Sequence, residues 1–287
     1  MKVIVTGILI LVGAVGFAQP ASEIYLFDLK IKKGEVTISN PMNITNHKGY
    51  DNQPSFDGEN SFVYYSSFND EGRSDIKIYD YKKKSTKSFT ATQEREYSPT
   101  LTPDKQFISC IIQRDNNAQD LGKYPLGGGA PDIIIDNMIV GYHAWMDNSH
   151  LAMFVLGDPN SLHFYQLPTR QDTVLANNIG RSLHKIPGER AFSFVHKISD
   201  KDWLIKKVDL TTMKISTITS TQPGHEDIAW ASDMLLTSDG EKVFVLKPGK
   251  DTAWREVTIK SGKEILKGVT RLAVSQQGDK LAVVVAE

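Results

Sequence analysis

A single cysteine, Cys110, stands in the 287 residues, so no intramolecular disulfide can form and stability must come from a packed core. No charge excess exists either: 33 Lys and Arg against 34 Asp and Glu leave a formal charge of −1. Without a basic field, nucleic acid and anionic lipid are not expected partners. No uninterrupted apolar run reaches the roughly 20 residues of a membrane-spanning helix. The segment Val3–Phe17, in MKVIVTGILILVGAVGFAQPA, follows one lysine and ends on small residues at Gly16 and Ala18. That is the pattern of a secretory signal peptide over residues 1–18, cleaved after Ala18, with a retained anchor the weaker alternative. The mature chain is expected in the periplasm or outside the cell, without stable membrane insertion.

Catalytic signatures are also scarce. There is no Gly-x-Ser-x-Gly elbow, no histidine pair at helical spacing and no Cys/His pair at finger spacing. No catalytic residue and no metal ligand is assigned. Amphipathic runs of helical length are missing too, while short apolar segments alternate with period two, which points to strands. At 40% hydrophobic and 23% charged, the chain has enough apolar material for a core, which excludes disorder.

What is present is a repeat. Five stretches share one grammar, a short strand, a polar turn and an apolar strand: QPSFDGENSFVYYS, SPTLTPDKQFISCI, YHAWMDNSHLAMFV, SLHKIPGERAFSFV and RLAVSQQGDKLAVV. A sixth, DIAWASDMLLTS, has a shortened turn at Ser232-Asp233. The last residue of each first strand is Phe56, Leu101, Trp145, Lys185, Trp230 and Val274, at spacings of 45, 44, 40, 45 and 44. Third strands such as 75–81 and 161–167 follow, then fourth strands such as 87–92 and 172–177. Four strands per 40–45 residues is the period of a β-propeller blade. Two strands remain before Phe56, at 22–31 and 35–40, and two at the C-terminal end; together they make one blade. The expected fold is all-β, a single six-bladed β-propeller domain over residues 21–287, with four antiparallel strands per blade and strands from both termini (22–40 at the N-terminal side) sharing the last blade. Closing the ring this way removes exposed sheet edges.

QPSFDGENSFVYYSSFNDEGRSDIKIYDY, with its Pro-Ser-Phe strand, Asp-Gly turn and Asp-Ile-Tyr strand, resembles the WD40-like (PD40) repeat of TolB-type propellers. GYHAWMDNSHLAMFVLGDPNSLHFYQL and IGRSLHKIPGERAFSFV resemble uncharacterised secreted TolB-like proteins. The resemblance implies a six-bladed propeller of the periplasm or cell envelope whose best-known member binds proteins. A counterpart of that member's separate N-terminal domain is not expected here, so its partner does not carry over.

Other features have plainer explanations. NDEGRSD (69–75) and RDNNAQD (114–120) look like calcium loops, but Asp75 and Asp120 lie one repeat apart. Turn aspartates accepting backbone N–H bonds account for them, and a structural Ca²⁺ is the lesser alternative; no cofactor is expected. LGGGAP (126–131) joins strand to strand and reads as a hairpin turn rather than a phosphate cradle. KKK (82–84) reads as a solvated turn.

In a propeller the first strand of each blade lines the central channel, and the loops entering these strands form one mouth. Three residues before each marker stand Gln53, Ser98, Tyr142, Ser182, Asp227 and Arg271; five before stand Asp51, Glu96, Val140, Gly180, His225 and Val269, with Arg181 and Glu226 between. The expected ligand-binding ring is therefore Asp51, Glu96, Tyr142, Arg181, His225, Glu226, Asp227 and Arg271, polar and mixed in charge. His143 belongs to a phase that is otherwise Pro54, Pro99, Leu183, Ile228 and Leu272, so packing between blades is expected of it rather than catalysis. The expected role is a scaffold binding another envelope protein or a small ligand at the channel mouth. The alternatives are a glycan-active hydrolase or lyase using a pair such as Glu96 and Glu226, and a small-molecule or sugar sensor with Tyr97 and Tyr142 as platforms.

Overall fold

The computed structural model describes residues 21–287; the signal-peptide segment 1–18 lies outside the described residues. Six sheets form a ring, each with its first strand innermost. The inner strands are Asp51–Phe56, Arg95–Leu101, Val140–Trp145, Ile179–Lys185, Ile228–Ala231 and Val269–Val274, and they define blades 1 to 6. The expected six-bladed propeller is what the chain adopts. Blade 6 joins both ends of the described chain: Ser22–Lys32 pairs with Lys280–Ala286, from Ser22 opposite Ala286 to Asp28 opposite Lys280.

Burial peaks on the second strand of the blades and falls toward the outer edge. Second strands such as Phe62–Phe68, Phe107–Gln113 and Met234–Ser238 are buried along nearly their whole length, because neighbouring blades cover both faces, so apolar residues fall at consecutive as well as alternate positions. Fourth strands such as Ser85–Ser88 are exposed throughout. The core is consequently divided among the blade interfaces. Val63, Tyr65, Val284 and Ile24 pack between blades 1 and 6; Leu121, Ile135, Leu151 and Met153 between 2 and 3; Phe27, Val283, Leu236 and Val245 between 5 and 6. Cys110 lies fully buried against Ile76 across the interface of blades 1 and 2, and burial raises its thiol pKa well above the usual value.

Two details depart from the sequence expectation. The fourth strand of blade 1 spans Ser85–Ser88 rather than 87–92, because the Thr90 hydroxyl takes the Ile76 N–H (2.7 Å) and ends the ladder there. Blade 6 carries a fifth strand, Thr258–Ile259, parallel to Thr37–Ile38. The preceding Arg255–Glu256 pairs with blade 5, so one short segment edges two blades, with buried Val257 between them. Two-residue strands leave no period in a sequence. LGGGAP does form the hairpin between Gln119–Pro125 and Asp132–Ile135, with Gly128 and Gly129 at positive φ.

Phe27, fully buried in the closing strand, is expected to cost about 3–5 kcal/mol when replaced by alanine. Urea or thermal unfolding of Phe27→Ala measures this, against Lys87→Ala on the exposed blade edge, expected within about 0.5 kcal/mol of the wild type.

Candidate functional site

Inner strands of neighbouring blades diverge and do not pair with each other. Their mouth ends are irregular: register shifts fall between Asn52 and Ser55, Tyr97 and Thr100, Val140 and Tyr142, Ile179 and Leu183, and Val269 and Arg271. Gln53 and Ser98, at equivalent places, hold positive φ there. Such bulges re-aim side chains, and here they turn a set of polar groups into a cavity of about 360 Å³ at the mouth. Tyr50, Tyr97 and Tyr142 supply aromatic wall, Asn52, Gln53, Gln113 and Gln119 supply amides, and Leu156 forms an apolar rim. Among the described residues, Arg181 and Arg271 are the only charged ones lining it. Below lies the central channel, about 1100 Å³, with Gln53, Tyr142, Arg181 and Arg271 common to both spaces.

These shared residues make a floor. Arg271 of blade 6 donates from Nη2 to the Tyr142 hydroxyl of blade 3 (2.7 Å), a bond between opposite blades that crosses the channel. The guanidinium also stands 5.0 Å from the Tyr142 ring centroid, a cation–π distance. Arg181 donates from Nη2 to the Thr270 carbonyl (3.2 Å). Asp227 lies between the two arginines, its Oδ2 3.8 Å from Arg271 and 4.0 Å from Arg181.

The carboxylates have other work. Asp227 Oδ1 accepts the backbone N–H of Leu272 (2.8 Å), and Glu226 Oε2 accepts that of Arg181 (3.0 Å) while pairing with Lys197 (3.1 Å). Asp227 lines the channel but not the mouth cavity, and burial raises its pKa. Gly180 leaves room for Glu226: a Cβ there would overlap Oε2 and push the carboxylate aside.

Not all of the expected ring converges. Glu96 is fully buried inside the blades, accepting from the Thr92 hydroxyl (2.5 Å), the Tyr124 hydroxyl (2.9 Å) and the Thr90 hydroxyl (3.2 Å), and burial raises its pKa. Asp51 is likewise buried, beside His47 Nδ1 (3.3 Å), with its pKa raised by burial. The reason is the strand period of two: Tyr97 and Asn52 face the cavity, so the residues before them face away. His225 sits on the loop before Ile228–Ala231 and lines neither space. Glu96 and Glu226 thus do not face each other across this cavity. Tyr50, buried with its pKa pushed up to about 12, was not foreseen; it precedes the repeat unit and carries no periodic signal.

His143 lies in the blade interface, 8% exposed. Its Nε2 stands 2.7 Å from Ser109 Oγ of the preceding blade, which also accepts Trp145 Nε1–H (2.8 Å) and reaches the Thr100 carbonyl (3.1 Å). Placing the proton on Nε2 satisfies every donor and leaves Nδ1, without a partner among the described residues, as a bare lone pair. Trp230 repeats the contact, bonding Ser193 Oγ (2.9 Å). A Ser161–His163–Asp172 chain of hydrogen bonds occupies the outer strands of blade 3, outside both spaces. In the calcium-like loops, Asp75 accepts the Thr92 N–H (3.3 Å) and Asp120 is held by Arg114. Among the described residues no group of three or more His, Cys, Asp or Glu side chains gathers as a metal site, and no helix is long and apolar enough to cross a membrane.

No family model matches the chain, and no curated protein does. Solved structures do. A protein described as TolB from Agrobacterium tumefaciens superposes with a TM-score of 0.71 at 13% identity, over 94% of this chain and 99% of that one. The fold is that of TolB-type propellers. TolB from Acinetobacter baumannii gives 0.57 at 12% identity, over 96% of this chain and 66% of its own. An oligogalacturonate lyase in complex with manganese gives 0.57 at 14% identity, over 86% and 80%. At these identities the likeness is one of fold, and the mouth of this TolB-like ring must be judged by its own residues.

Two tests address the mouth and the blade interface beside it. Gly180→Ala is expected to expel the Glu226 carboxylate from the Arg181 N–H and cost about 1–3 kcal/mol, read as a lowered Tm. For His143, burial lowers the pKa from 6.5 to about 4. Between these values the unfolded chain binds more protons than the folded one, so stability falls as pH falls through the window. Relative to His143→Leu, the wild type is expected to lose on the order of 3 kcal/mol between pH 7 and pH 4; parallel pH-stability curves for the two proteins would refute the assignment.

Proposed function

We propose that this protein is an exported binding scaffold of the cell envelope that captures its ligand, or a small protruding part of an envelope protein, in the mouth cavity. One observation carries the proposal: aromatic, amide and guanidinium groups from several blades converge on a single cavity of about 360 Å³. That volume is at the small end of the range for ligand sites. Export is supported by the signal-peptide pattern at residues 1–18, and a binding role by the shared fold with TolB.

A glycan-active enzyme is the second proposal, favoured by the fold shared with oligogalacturonate lyase. Carboxylate chemistry in that case needs residues other than Glu96 and Glu226, whose oxygens are engaged by hydroxyl, backbone and lysine partners.

Leu156→Trp decides whether the cavity is the binding site. Leu156 stands on the rim, 40% exposed, so a larger side chain can fill the cavity with little effect on folding. Purified wild type and variant, incubated with an envelope extract and analysed for retained peptides and small molecules, are expected to differ: retention by the wild type, at least tenfold less by Leu156→Trp, with Tm unchanged within about 2 °C. Equal retention by both proteins would place binding elsewhere.

A further inference from the structure

The charged groups at the mouth are unevenly served. A guanidinium carries five N–H donors, and hydrogen bonds among the described residues use one on Arg271, to Tyr142, and one on Arg181, to Thr270. Arg181 Nε is buried without a hydrogen-bond partner among the described residues. The Arg271 side chain is only 13% exposed. A cation removed from water with most donors unused is costly unless a further acceptor arrives.

The charge balance gives the size of that acceptor. Arg181, Arg271 and Lys197 face Glu226 and Asp227, leaving a surplus of one positive charge. Both carboxylates also hold backbone N–H groups, which fixes them away from the cavity. One negative charge restores neutrality. A planar carboxylate matches this surplus and the forked geometry of a guanidinium, whereas a phosphate monoester brings about −1.5 to −2.

The rest of the wall describes the body that bears the charge. Gln113 and Gln119 offer both donors and acceptors, the complement of hydroxyl groups, and Gln53, whose Oε1 already accepts from Ser98 and Ser66, adds its NH2 donors. Tyr50 and Tyr97 offer flat apolar faces with polar tips.

From this juxtaposition we infer that the mouth cavity binds a small hydroxylated monocarboxylate of the sugar-acid class, its carboxylate held by Arg271 and Arg181 and its hydroxyls by the side-chain amides. The inference rests on the cavity being the binding site and names the chemistry of its occupant.

Titration calorimetry on the purified protein tests it with D-glucuronate, D-galacturonate, D-gluconate and lactate, set against D-glucose, benzoate and inorganic phosphate. At least one hydroxy acid is expected to bind with Kd below about 1 mM, tenfold or more tighter than each of the three controls, and Arg271→Gln is expected to weaken it roughly 10- to 100-fold. Arg181→Gln gives a second reading of the same effect if Arg271→Gln fails to fold. Glucose or benzoate bound as tightly as the acids, phosphate bound more tightly, or affinity unmoved in the arginine variants would each overturn the inference. No hydroxy acid binding would overturn it as well. A neutral molecule retained by the wild type and lost in Leu156→Trp would leave the cavity as the binding site while ending the assignment of its occupant.

Discussion

Inner strands that fan outward from an axis cannot pair with one another, and everything at the centre of this ring follows from how their open edges are satisfied. Buried backbone N–H and C=O groups need partners. Here side chains one repeat away provide them. Gln53 Oε1 takes the Ser98 N–H (2.7 Å), Ser182 Oγ that of Ile228 (3.1 Å), Glu226 that of Arg181 (3.0 Å) and Asp227 that of Leu272 (2.8 Å). The Ser55 hydroxyl donates to the Pro99 carbonyl in the same manner (2.6 Å). Each bond ties a blade to the next at the level where the channel begins. Polar residues around the entrance are therefore first a solution to a backbone problem, and only those left over are available to a ligand.

That division separates the charges. Carboxylates can accept from N–H groups and are consumed by them; guanidinium groups cannot, and remain facing the open space. A ring of mixed charge thus presents a cationic cavity. Composition alone could not reveal this, because the expected mouth residues hold four carboxylates against two arginines, while the two guanidinium groups are the charges that line the cavity among the described residues.

Much of the architecture was legible in the sequence because a blade is a local object. Six inner strands and the shared last blade could be placed from turn residues and period-two alternation, which depend on neighbours in the chain. The fifth strand at Thr258–Ile259 was not legible, since two residues carry no period. At the mouth, Tyr97, Tyr142, Arg181 and Arg271 were anticipated, whereas Tyr50 and Leu156 flank strands and Gln113 and Gln119 stand at the ends of the second and third strands of blade 2, all positions off the inner strands on which the alignment was built. Glu96 and Asp51 were assigned to the wrong side of their strands: an alignment by level does not fix which face a residue takes when bulges shift the phase between copies.

The bond between Arg271 and Tyr142 acts as a chord, dividing the ring into two arcs. On one arc, blades 1 and 2 contribute tyrosines and amides to the entrance; on the other, blade 4 contributes Arg181, with Glu226 and Asp227 of blade 5 close behind it. The entrance thus has a neutral half and an ionic half, with no symmetry relating them despite six similar blades. A molecule with one charged end can lie across it in a single direction only. Sixfold repetition supplies the frame, and this chord gives it a sense of orientation.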